Sequence, residues 1–122
     1  MRARAQAGGA AIEFALVLPV VILVLFAVVE VAVVARTQLE LTNAAREGAR
    51  EAATVVDPAS AVSAARAAMG TLGSRLVVSV RRPHVVGRRA EVTVRLRHRL
   101  AAPLFGGVTI ELRSRAAMRV ER

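Results

Sequence analysis

The residues best placed to do chemistry stand at the front of the chain. Gly8-Gly9-Ala10-Ala11-Ile12-Glu13-Phe14 leads directly into a long apolar run, and Glu13 is the first acid in the sequence. A carboxylate at the mouth of a membrane helix costs free energy unless it stays at the interface or meets a cation. Cleavage between Gly8 and Gly9 would make Glu13 the fifth residue of a new chain, with a fresh α-amine about one helical turn away. In a bundle of such helices, the amine of one subunit could pair with Glu13 of another, neutralising two buried charges and fixing axial register. The plainer reading leaves Glu13 at the headgroups with no partner. Glu30 has two readings as well. It lies about 8 Å from the outer end of the apolar run and can reach the interface. Alternatively it makes an interhelical polar contact with another subunit.

The remaining titratable residues do not assemble a catalyst. The chain has no Cys, Lys, Trp or Tyr, and its two histidines are His84 and His98. A disulfide framework, a thiolate metal site and a cysteine nucleophile are therefore excluded. Neither histidine belongs to an HExxH-type spacing, and there is no phosphate-binding glycine loop or nucleophile elbow. His98 is most simply a partly buried, hydrogen-bonded side chain. The sequence is that of a non-enzyme with no cofactor, no metal and no small-molecule substrate.

The elements that must position these groups begin with the apolar run. From Phe14 to Ala35 the only charge is Glu30. As a helix, this run rises roughly 33 Å, about one hydrocarbon core. A helix apolar on every face needs lipid or a protein interior around it, and a chain of 122 residues is too short to supply the interior. The segment is predicted to span a membrane once. The competing reading is a secretory signal removed after Ala35, but the run exceeds the ~7–15 residues of an ordinary signal core. Basic residues do not orient the span. Arg2 and Arg4 precede it, and Arg36, Arg46 and Arg50 follow it closely, so the two sides nearly tie.

Beyond Ala35 a helical stem continues to residue 56, with Leu41, Ala45, Gly48 and Ala52 recurring on a narrow small-residue stripe. Such a stripe lets another backbone approach closely. It serves equally for the stem lying on its own domain or for packing between subunits. Asp57-Pro58 breaks and restarts the helix, since Asp caps well and Pro suits the first turn. A short helix, Ala59–Leu72, should bury Ala61, Ala65, Ala68 and Leu72 and stop near Gly70 or Gly73. The period then becomes two. Leu76, Val78 and Val80 mark one strand, and Val92, Val94, Leu96, His98 and Leu100 a second. The apolar side of a third carries Val108, Ile110, Leu112, Ser114, Ala116, Met118 and Val120. Loops at Arg82–Gly87 and Ala101–Gly107, the latter with Pro103, favour an antiparallel three-stranded meander. Its buried face can be covered only by the stem and the short helix. The predicted class is α+β, with a basic leader at 1–8, a membrane helix at 9–35, a stem at 36–56 and a small head at 57–122.

All 18 basic residues are arginine, against 9 acids, and the whole +9 charge lies in residues 36–122. Arg95, Arg97, Arg99, Arg113 and Arg115 fall on the polar strand faces and could neutralise phosphates. No aromatic residue accompanies them for base stacking, so a nucleic-acid partner is disfavoured and a solvated face is the simpler reading.

The segment from Gly8 to about Arg50, above all EFALVLPV and TNAAREGAR, resembles the N-terminal signature of the TadE-like (and TadG-like) proteins of tight-adherence, Flp-type pilus assembly. AAMRVE at Ala116–Glu121 also looks similar. The resemblance implies a minor pilin or pseudopilin of the cytoplasmic (inner) membrane, with its N-terminus inside and its head outside. It implies a prepilin peptidase that cuts after Gly8, leaving Gly9 first. The implied partners are other pilin-like subunits, the inner-membrane assembly platform and membrane lipid. Glu13-Phe14 stands at the family's Glu-aromatic pair, and Pro19 would loosen the helix by freeing a carbonyl near Ala15. Asn43, Arg46, Glu47, Gly48 and Arg50 match the signature just past the membrane and would form a docking surface on the stem. Two rivals stay open: an uncleaved single-span anchor of the same machinery, and a small domain secreted after Ala35.

Overall fold

The computed structural model describes residues 2–101 and 107–121, with side chains from Gly8 onward. The expected side-chain roles of Arg2 and Arg4, and most of the expected Ala101–Gly107 loop with Pro103, lie outside the described residues. The chain is α+β, as its patterning predicts. One helix, α1 (Arg2–Thr54), covers the expected leader, span and stem without interruption and runs unbroken through Pro19. It is followed by α2 (Pro58–Ala68), a 3-10 segment (Gly70–Arg75), and strands β1 (Val77–Arg81), β2 (Arg89–Arg99) and β3 (Thr109–Arg119). The strands form one antiparallel sheet in the order β1-β2-β3.

Local chemistry accounts for the breaks. The Asp57 side chain accepts the Ala59 N–H at 3.0 Å, and Pro58 opens α2 where its missing N–H matters least. Ser60 donates its hydroxyl to the Glu51 carboxylate, tying the start of α2 back to α1. Gly70 ends the helical stretch at φ +57°, a left-handed conformation suited to glycine. This stop changes the buried register. Ala61 and Ala65 are buried as expected, but Ala68 is exposed and Met69 enters the core instead. Helical phase no longer applies once the chain turns at Met69.

The sheet lays its apolar face on α1 and α2. Val78 pairs with Val94 and Val80 with Val92, while Val92 faces Ala116 and Leu96 faces Leu112 across the next ladder. Leu41, Ala44, Ala45, Ala49 and Ala52 of α1 join Ala61, Ala65, Leu76, Val92, Val94 and Leu96 in one core. The stem stripe therefore packs on its own head, resolving the alternative left by the sequence. Small residues bring the helix close to the sheet, and Val side chains fill the space between them. At the ends of the expected β3 face, Val108 and Met118 are exposed rather than buried.

Candidate functional site

The N-terminal half of α1 stands free of the head. Every residue from Gly8 to Phe26 is exposed, including Phe14, Leu16, Val20 and Leu25. It is the one helix among the described residues long and apolar enough to cross a membrane. Gly8 and Gly9 lie on its exposed surface with open space where a side chain would begin. Glu13 and Phe14 follow, also exposed, and Pro19 comes about one and a half turns later.

Burial starts at Ala27 and Glu30, inside the apolar run. Glu30 Oε1 lies 3.3 Å from His98 Nε2 and accepts the Ala101 backbone N–H, also at 3.3 Å. The two side chains are only 16% and 20% exposed. Within its own chain, the polar partners of Glu30 therefore lie at the end of β2. His98 is indeed half-buried and hydrogen-bonded. Two clues lay in the sequence, His98 on the apolar strand face and Glu30 as the sole acid of the run. Neither periodicity says that those two positions come level.

Chain lengths explain why they do. β2 has 11 residues, rising about 36 Å end to end. Glu121 N–H donates to Ala53 O at 3.0 Å, which fixes the far end of the sheet beside the C-terminus of α1. From Ala53 back to Glu30, the helix descends roughly 35 Å. The strand and the helix are matched rods, pinned at both ends. Between the pins, Gln38 Nε2 donates to Arg113 O at 3.0 Å, and Ser114 Oγ lies 3.3 Å from Thr42 Oγ1. The stretch of α1 left bare, residues 9–29, rises roughly 31 Å, one hydrocarbon thickness. Glu30 and the hairpin end of the head therefore come where the bare stretch ends, five residues before the apolar run itself ends at Ala35.

On the stem, Asn43, Arg46, Glu47 and Arg50 are all exposed, at i, i+3, i+4 and i+7 on one face. Gly48 does not share it. A side chain built there would meet Val92 Cγ1 at 3.1 Å, Ala65 Cβ at 3.2 Å and Ala61 O at 3.3 Å. Gly48 is a point of close approach within the subunit, and the expected docking surface loses it. The sequence reading missed the exposed apolar residues just below that face, Val31 and Leu39. They were legible as part of the helical period, but the head's position had to be known before their exposure meant anything.

Residues 8–50 match the family model described as TadE-like protein. The matched segment is the bare span together with most of the stem. No curated protein and no solved structure matches the chain.

Proposed function

From a TadE-like segment that opens a helix of membrane length, we propose that this chain is a minor pilin or pseudopilin of a tight-adherence, Flp-type pilus or secretion system. Its role is assembly rather than catalysis. The observation that carries the reading is the division of α1: the apolar half from Gly8 to Phe26 is bare, while the stem stripe is already filled by the head. A bare apolar rod suits lipid first and the helices of neighbouring pilin-like subunits or the inner-membrane platform afterwards. In this reading a prepilin peptidase removes residues 1–8, with the N-terminus cytoplasmic and the head extracytoplasmic. The new amine at Gly9 then lies about one turn from Glu13, and the two charges pair between neighbouring subunits.

Mass spectrometry of the mature N-terminus in cells that carry the peptidase tests this directly. A chain beginning at Gly9 is expected, and Gly8→Leu should leave the precursor uncut. A wild-type chain beginning at Met1 or Arg2 would refute processing and leave an uncleaved anchor. One beginning at Arg36 would refute the membrane role, because the head would be released.

A further inference from the structure

The outer face of the sheet, turned away from α1, is strongly basic. Arg95, Arg97 and Arg99 of β2, Arg113 of β3 and Arg75 just before β1 are all exposed. The register sets Arg95 directly opposite Arg113, and like charges so placed destabilise a sheet. Glu111 stands opposite Arg97, and further along the same face Glu91 pairs with Arg115 at 3.5 Å. Arg75 Nη2 donates to Arg97 O at 3.3 Å, which brings the Arg75 guanidinium over β2. Beside them lies an open groove of about 450 Å³, lined by Arg75, Val77, Arg95, Leu96, Arg97 and Glu111. Clustered guanidinium groups around such a groove suit phosphate oxygens, which they engage through paired N–H donors.

The position of the group in the fold identifies the phosphate. Arg97 and Arg99 flank His98, whose ring contacts Glu30 at the end of the bare apolar span. Arg81, level with Glu91, and the opposed Arg89 and Arg119 lie towards the other end of the same face, roughly 13–20 Å along the strands from Arg95 and Arg113 and roughly 20–33 Å from Arg97 and Arg99. One end of the basic face is thus at headgroup depth and the other is well clear of it. We propose that Arg75, Arg95, Arg97, Arg99 and Arg113 bind the phosphate headgroups of anionic phospholipids in the leaflet from which α1 emerges. This rests on the reading of α1 as a membrane span. The tether through α1 holds the arginines beside the headgroups at a high effective concentration. A nucleic acid would lack that advantage: no Phe, Trp or Tyr adjoins any of the five arginines, and the His98 ring between two of them is engaged with Glu30.

The test uses the full-length chain in nanodiscs of phosphatidylcholine, with and without phosphatidylglycerol, and counts retained lipids by native mass spectrometry. Wild type should retain phosphatidylglycerol preferentially. The triple variant Arg97→Gln, Arg99→Gln, Arg113→Gln should lose the preference, by about fivefold per residue at low salt. Arg81→Gln, Arg89→Gln, Arg119→Gln removes the same charge at the distal end and should retain it. Equal loss in both triples would overturn the assignment, since net charge alone would then explain the binding. Displacement of the lipid by inorganic phosphate would instead reveal a free-anion site, and tighter capture of an RNA oligonucleotide a nucleic-acid face; either result overturns the proposal. Insertion without any lipid preference overturns only the headgroup site, whereas failure to enter phosphatidylcholine discs overturns the span and this proposal with it.

Discussion

Gly48 is where the packing of stem on head can be tested most sharply. Replacing it with Ala adds one carbon 3.1–3.3 Å from Val92 Cγ1, Ala65 Cβ and Ala61 O. Two of these three atoms are backbone or lie one bond from it, so they yield only if α2 moves. Overpacking of this kind costs about 1–3 kcal/mol, while exchanging Gly for Ala in a helix returns about 1 kcal/mol. Gly48→Ala should therefore lie between neutral and about 2 kcal/mol destabilising. Gly48→Val adds two further methyl groups in the same place and brings a poorer helix former, so it should cost at least about 3 kcal/mol. For a head of this size that corresponds to a fall of roughly 12 °C or more in Tm. Thermal unfolding of the full-length chain in detergent, followed by far-UV circular dichroism, gives the number. The strand signal should melt early while the N-terminal half of α1 stays helical. An unchanged Tm for Gly48→Val would refute the packing, because it would mean that the stripe faces open space or another subunit.

Three further outcomes are expected. Glu30→Ala leaves the Ala101 amide and the His98 ring without their acceptor. It should destabilise the junction by about 1 kcal/mol, read as an approximately fivefold loss of hydrogen-exchange protection at Ala101. Asp57→Ala removes the cap that accepts Ala59 N–H and should cost about 1 kcal/mol, with α2 fraying first by the same exchange measurement. On the proposed charge pairing, Glu13→Ala should spare membrane insertion, assayed by carbonate extraction, yet reduce pilus assembly, assayed in sheared surface fractions. Wild-type piliation in that variant would make the carboxylate a passive interface residue.

The parts of this protein that follow a local period could be read from sequence, and the parts set by matched lengths could not. Val92, Val94 and Leu96 alternate with Arg95 and Arg97, so strand, face and meander order followed from the residues themselves. Asp57-Pro58 marked the start of the second helical stretch for the same reason, and its stop was legible only as one of two glycines, Gly70 or Gly73. Helical phase, however, could not say whether Leu41, Ala45, Gly48 and Ala52 meet a sheet in their own chain or a helix in another. That depends on where β2 and β3 come to rest. Met69 replaced Ala68 because a turn at Gly70 breaks the very periodicity used to choose between them. Glu30 and His98 are 68 residues apart, and their encounter requires that 11 strand residues and about six helical turns be equally long. No short window contains that equality.

The same matched lengths limit how neighbouring subunits could approach. The head occupies the side of α1 that carries Glu30, Thr37, Leu41, Ala45 and Gly48. Val28, Val31 and Leu39 are each more than 60% exposed. With Ala35, they succeed one another at steps of three or four residues on the other side and lead into Asn43, Arg46, Glu47 and Arg50. This strip continues the bare surface of the span past the point where the head begins. Lateral helix packing of the proposed kind can use the strip without disturbing the sheet, whereas the small-residue stripe is closed to it by Val92 and Ala65. A neighbour packed there would also leave the basic outer face of the sheet open, because α1 stands between the two surfaces. Assembly through the helix and phosphate binding by the sheet can therefore proceed together, each on its own side of the same rod.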